Sequence, residues 1–398
     1  MQERTMRAAG LAARMLTTLG GAALVGWSLV ADAHWAERHV LGAYCATNRG
    51  VWVVARAVPW IAAALGLFAM WWVGPALGRR AERLHIREQA RTLAGIAVAV
   101  AAALCVGEVV ARLQHDRLML GARSPTRDGR EAPMTRFDPR LGWSYLPGRT
   151  TWTRVGDRPI AYAIDAEGDR AARSDVHADP AGPTILFAGE SIAFGYGLSH
   201  DETFVHLVGR ELEVQTVNLA VVGYGNDQAH LRVLDALPRF ARPLAVVTVF
   251  VTDQIERNVD RWRPRLGLAP DGSLVSVPAS SGPRLAKLLQ RLPYHGDEPL
   301  RVTAAILRAT ADAARARGAI PLFVVTNYGP ACLRDEGDEA WIVNELFVRQ
   351  ALPFVRVELD AEDLLPGLLE RHPGARGARK IASAVERALS DRLARAPR

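Results

Sequence analysis

Lysine is almost missing from this 398-residue chain: of its 49 basic residues only Lys287 and Lys380 are lysine, and the rest are arginine. The arginines are scattered. The formal charge of +7 therefore reads as composition, since a nucleic-acid partner would call for a basic stripe. Cysteine is scarce too. Cys45, Cys105 and Cys332 contain no Cys-x-x-Cys pair, which excludes a disulfide framework and a thiolate metal cage. The chain has no glycine-rich phosphate loop, no His-x-x-x-His pair and no acidic metal cluster, so neither a cofactor nor a metal is expected. A hydrophobic content of 49% excludes a disordered chain, and the length allows two domains.

What the first part has in excess is apolar sequence. Residues 15–31 and 57–78 are uncharged runs, and 93–107 is a third that extends past Glu108 to Ala111. A bilayer core needs about 20 helical residues, so the second run spans easily. The others need flanking residues, with Arg14 and Arg112 snorkelling to the interface. Arg4, Arg7 and Arg14 precede the first run, and Arg79, Arg80, Arg83, Arg87 and Arg91 lie between the second and third. The positive-inside rule then puts the amino terminus and the 79–91 loop in the cytoplasm. Three crossings leave the carboxy-terminal part outside, on a multi-pass protein of the inner membrane with the lipid bilayer as partner. The start also reads as a signal peptide, with small residues at Ala31-Asp32-Ala33 for cleavage; the second half lies outside in either case.

The expected organisation is a transmembrane region at 1–113 with three helices, a linker with a small β preface at 114–182, and an α/β domain at 183–398. Within the preface, 151–155 and 159–164 alternate with period two around Gly156-Asp157, predicting a hairpin. Beyond it, apolar strands at 184–188, 215–219, 245–251, 320–326 and 354–359 alternate with helical patterns at 202–212, 227–237, 300–317, 341–350 and 375–393. This alternation predicts a parallel sheet covered by helices on both faces, with ligands bound beyond the carboxyl ends of the strands. The stretch 254–297, with a Pro270-Asp271-Gly272 turn, is long for a connection and is expected to cap the site.

At the ends of those strands stand the residues able to do chemistry. Gly189-Glu190-Ser191 follows the first, Asn218 to Gly225 follows the second, and Glu370-Arg371-His372-Pro373 precedes the last helix. A serine at a strand-to-helix turn, an imidazole to take its proton and backbone N–H groups to hold an oxyanion form an acyl-transfer site. Each also has a plainer reading: Ser191 as a helix cap, His372 as a helix opener, Gly223 and Gly225 as turn residues. Phe194, Tyr196, Tyr224 and Trp262 read either as pocket lining or as packing.

These blocks resemble the SGNH/GDSL hydrolase family. Gly189-Glu190-Ser191, with Gly195, Gly197 and Glu202-Thr203-Phe204, is similar to its Gly-Asp-Ser block; 218–225 is similar to the second, and His372-Pro373 with Ala375, Gly377 and Ala382 to the last. Asp138-Pro139, Leu141-Gly142-Trp143 and 167–170 are similar to a preface seen in some members, so the resemblance covers about residues 136–390. It implies a flavodoxin-like three-layer α/β/α fold and ester chemistry through an acyl-serine on Ser191, with His372 as base and the Gly223 N–H in the oxyanion hole. Two departures stand out. Thr252-Asp253 replaces the family's Asn-Asp, leaving Thr252 as a shorter-reaching oxyanion donor and Asn327 as a substitute. Leu369 replaces the aspartate three residues before the histidine, so Glu370 is the expected triad acid, with Asp360 and Asp363 behind it. The expected function is a membrane-anchored esterase or acyltransferase acting on O-acyl esters such as those of cell-envelope glycans. The alternative is a degenerate domain that binds a glycan without turnover.

Overall fold

The computed structural model describes residues 2–30, 49–83, 123–125, 131–155, 158–282, 297–326, 336–365 and 372–393, with helical residues at 88, 91, 94, 98, 101, 102, 105, 106, 108 and 109. The chain divides into two units, residues 1–112 and 113–398.

The first unit is helical: α1 (Gln2–Val30), α2 (Arg49–Phe68), a π-helical turn (Ala69–Val73) and α3 (Gly74–Arg83). Among the described residues one helical stretch, Ala57–Arg80, is long and apolar enough to cross a membrane by length and composition, and it contains the second expected span. The first expected run falls in α1, whose opening half carries Glu3, Arg4, Arg7 and Arg14; the third lies largely outside the described residues. α1 meets α2 backbone to backbone. A Cβ at Gly21 would lie 2.5 Å from the Gly66 carbonyl oxygen, and one at Gly66 would lie 2.6 Å from that of Gly21, so only glycine fits at this crossing. Outward stand Leu16, Leu19, Trp60, Leu65, Phe68, Trp71 and Trp72, all exposed.

The second unit opens with two antiparallel hairpins, β1 (Arg123–Pro125) with β2 (Glu131–Pro133) and β3 (Thr135–Asp138) with β4 (Gly142–Tyr145). An eight-stranded sheet follows, from β5 (Arg149–Val155), β6 (Arg158–Ile164), β7 (Arg170–Ala171), β8 (Pro183–Ala188), β9 (Gln215–Asn218), β10 (Arg242–Phe250), β13 (Ile320–Thr326) and β14 (Phe354–Val357). A separate hairpin, β11 (Arg265–Leu268) with β12 (Leu274–Val277), turns at the expected Pro270-Asp271-Gly272. The sheet order is β14-β13-β10-β8-β9-β7-β6-β5. The first five are parallel, and counted alone in chain order they run 2-1-3-4-5, the flavodoxin-like order, whose switch point lies between β8 and β10. The preface strands β5, β6 and β7 extend the same sheet antiparallel, joined to β9 through the single pair Arg170 with Asn218. Period-two alternation foretold the hairpin, but a two-residue strand is too short to announce which sheet it joins.

Helices cover both faces because the central strands are apolar on both. Ile185 and Phe187 of β8 and Val247 and Val249 of β10 pack with α5 (Phe204–Glu211) and α10 (Ala375–Leu393). Leu186 and Ala188 of β8, with Val246 of β10, face α6 (Asn226–Ala236) and the end of α8 (Asp297–Ala316). Phe250 and Phe323 pack with α8 and α9 (Glu336–Val343). Two short helices remain, α4 (Ser191–Phe194) after β8 and α7 (Gln254–Asn258) after β10, and both rise at the carboxyl ends of their strands.

Candidate active site

Ser191 opens α4, with Glu190 as its N-cap and the Glu190 carboxylate accepting the Ile192 N–H at 2.8 Å. The turn from β8 into a four-residue helix puts the serine at the switch point, in a wholly buried helix. Across 181 positions of sequence, His372 brings its Nε2 to 2.7 Å from Ser191 Oγ. That is the contact a nucleophile and its base require. Ser191 Oγ also donates to the Glu190 carboxylate. The hydroxyl has one hydrogen and two acceptors in reach: directed at His372 it is in line for transfer, directed at Glu190 it is parked. Arg257 approaches that carboxylate to 3.8 Å, so the buried Glu190 charge is not left alone.

Gly223 sits in the loop between β9 and α6 at φ +83°, a conformation that favours glycine. Neither its N–H nor that of Ser191 bonds to another described residue, which leaves both as donors for an incoming anion. Asn218, at the end of β9, ties this side to the nucleophile: its Nδ2 donates to the Ala193 carbonyl at 2.9 Å. Thr252 is buried in the turn after β10 and its carbonyl accepts the Ile255 N–H; no hydrogen bond joins its side chain to Ser191 or His372. Glu370 and Asn327 lie outside the described residues. Asp363 is committed elsewhere. Its carboxylate meets Lys380 at 3.0 Å and Arg376 at 3.1 Å, and although burial opposes ionisation, the Asp360 N–H and Lys380 hold it below the usual carboxylate range. Asp360 is exposed and also faces Lys380.

Of the four aromatic candidates, Phe194, Tyr224 and Trp262 are buried packing residues. Tyr196 alone stands at the site, half-buried, its ring centroid 4.8 Å from that of His372. Sequence reasoning missed the groups that hold the loops. Arg170 is buried among the rings of Tyr162 and Phe194, 4.8 and 4.6 Å from its guanidinium carbon. It donates to the carbonyls of Phe194, Gly195 and Leu198, the turn that follows α4. Burial pulls this guanidinium down to about 10, still charged at neutral pH, and no described carboxylate pairs with it. On the oxyanion side, Arg257 donates to the Tyr224 carbonyl at 3.1 Å and Arg263 to the Gly223 carbonyl at 3.3 Å. A single arginine in a preface carries no local sign of such contacts, because they are made tens of residues away. Among the described residues no group of three His, Cys, Asp or Glu could hold a metal ion.

No protein-family model matches the chain, and no curated protein matches it. Solved structures similar in part include TesA, at 17% identity and a TM-score of 0.34 over 52% of this chain and 98% of that one. A lipolytic protein of the G-D-S-L family from Desulfitobacterium hafniense is similar at 13% identity and 0.29, over 52% and 98%. The acetyl xylan esterase Est2A from Butyrivibrio proteoclasticus is similar at 12% identity and 0.35, over 55% and 66%.

Proposed function

We propose that the chain is a membrane-anchored serine esterase or acyltransferase of the SGNH type that acts on O-acyl esters through an acyl-serine. The observation that carries this is the 2.7 Å contact between Ser191 Oγ and His372 Nε2 at the switch point of a flavodoxin-like sheet. As Oγ attacks the ester carbonyl carbon, its proton passes to Nε2, and the charge that develops on the carbonyl oxygen is met by the N–H groups of Ser191 and Gly223. Collapse breaks the bond to the alcohol, which leaves with the proton from His372. Water or a sugar hydroxyl then gives its proton to His372 and attacks the acyl carbon, and Ser191 is released as His372 returns that proton to Oγ. Hydrolysis and transfer share every step except the identity of that acceptor. Glu370 is proposed to orient the imidazole, and Thr252 to assist the oxyanion with its hydroxyl.

The Ala57–Arg80 helix and the exposed apolar side chains around it support a bilayer anchor. The arginine distribution favours a multi-pass arrangement in the inner membrane, with the carboxy-terminal domain on the outer side. A site there suits acylated glycans of the cell envelope, a substrate class argued from location alone. The second reading, a domain that binds an acylated glycan without turning it over, rests on Thr252 and Leu369 standing where the resemblance implies an asparagine donor and a triad aspartate.

Labelling of the detergent-solubilised full chain with a fluorophosphonate separates the two. Covalent labelling that Ser191→Ala abolishes is the expected result. No labelling at any pH from about 6 to 9 would leave the binding domain.

A further inference from the structure

Trp143 belongs to the preface strand β4, 80 residues before the oxyanion loop, yet its indole Nε1–H donates to the Val222 carbonyl at 3.2 Å. The Val222 carbonyl and the Gly223 N–H lie on one peptide unit, and in a trans peptide they point in opposite directions. Whatever holds that carbonyl therefore aims that N–H. A donor on the carbonyl also polarises the amide and makes its N–H a stronger donor in turn. The rest of the indole is fixed. Trp143 is buried, its ring meets that of Tyr224 edge-on at 5.3 Å, and a Cβ at Gly223 would lie 3.4 Å from its Cζ2. Its own carbonyl accepts the Tyr224 hydroxyl at 2.5 Å, so ring and backbone grip the loop on either side of Gly223. The neighbouring peptide is held separately, by Val222 N–H donating to the Tyr145 hydroxyl at 3.1 Å.

We infer that Trp143 is a positioning residue for the oxyanion hole, orienting and polarising the Gly223 N–H through the peptide the two share. The inference rests on the proposed role of Gly223. It gives the preface a task in the reaction, and a heavier one here because Thr252 stands where an asparagine donor is expected.

The test uses p-nitrophenyl acetate and the full chain in detergent. Trp143→Phe, and benzothienylalanine at 143, which replaces the N–H by sulfur at nearly constant shape, both delete this one donor. Each lowers kcat about tenfold with KM within about twofold, less than the hundredfold or more expected for an oxyanion donor itself. Affinity for a trifluoromethyl ketone, whose adduct carries the oxyanion, falls by the same factor. Tyr145→Phe disturbs the same loop on a different peptide and costs distinctly less in kcat. Wild-type kcat in the benzothienylalanine protein overturns the inference, as do equal losses in kcat from all three variants with no change in ketone affinity. Turnover that does not depend on Ser191 overturns the underlying role of Gly223, and this inference with it.

Discussion

Among the described residues, the loops proposed to carry the nucleophile and the oxyanion donor are tied down from far along the chain, whereas the contacts around His372 come mainly from its own neighbours. Arg170, Trp143 and Tyr145 come from the preface, Arg257 and Arg263 from the segment after β10, and all of them grip main-chain atoms of residues 194–198 or 222–224. His372 is held by its carbonyl accepting Leu365 N–H at 2.9 Å, by the Leu364–Pro373 bridge, and by Gly374 N–H on the Asp363 carbonyl. Among the described residues, Lys380 and Arg376 of α10 also reach into that loop, both through Asp363. The difference follows from what each half must do. An oxyanion hole works by dipoles fixed before the reaction, whereas an imidazole is oriented by its own acid partner, the role proposed for Glu370.

The contrast can be broken or sharpened by substitution. The largest effect belongs to the chemistry itself: His372→Ala lowers kcat for a chromogenic ester by about 10⁶, as loss of a triad base does elsewhere, with the melting temperature nearly unchanged. Next is Arg170→Met. It strands three main-chain carbonyls in the interior and costs about 3–5 kcal/mol in denaturant unfolding, since each buried acceptor left unsatisfied costs about 1–3 kcal/mol; a cost near zero would show that the turn after α4 needs no brace.

A third prediction concerns α6, which carries the oxyanion loop at its start. His230 on this helix is buried, with Nδ1 at 2.9 Å from Thr310 Oγ; since that hydroxyl donates to the Ile306 carbonyl, Nδ1 carries the hydrogen. Burial pulls this imidazole from 6.5 down to about 4. The unfolded chain then binds a proton that the native one refuses, so stability is lost as pH falls from about 6.5 to about 4, by about 3 kcal/mol. His230→Gln should flatten that part of the profile relative to wild type, and parallel profiles would contradict the assignment. The smallest effect is on the histidine side. Lys380→Ala leaves Arg376 on Asp363 and costs about 1 kcal/mol or less; a loss equal to that of Arg170→Met would erase the contrast.

The sequence made the parallel strands legible because each is a short apolar run closed by glycine, proline or polar residues, and the structure sets them within a few residues of the expected places. Ser191 and His372 were legible for a related reason: both stand where a strand or loop gives way to a helix, with glycine or proline beside them. The braces were not. Arg170 and Trp143 sit in short strands whose local pattern says only that one face is buried, and their partners lie 24 to 81 residues away. Nor could spacing tell that Asp363 is taken by Lys380 and Arg376, since the pairing depends on how α10 folds back over the loop. In the first unit, hydropathy marked three runs, but charge at the start of α1 makes that helix less apolar than the stretch 57–80.

The most direct test of the catalytic reading is intact mass of the full chain, quenched in the first turnovers of p-nitrophenyl acetate. One acetyl group mapped to Ser191, absent from both Ser191→Ala and His372→Ala, is the predicted result. Steady turnover by Ser191→Ala at the wild-type rate, with no acetyl group on the wild-type chain, would contradict it.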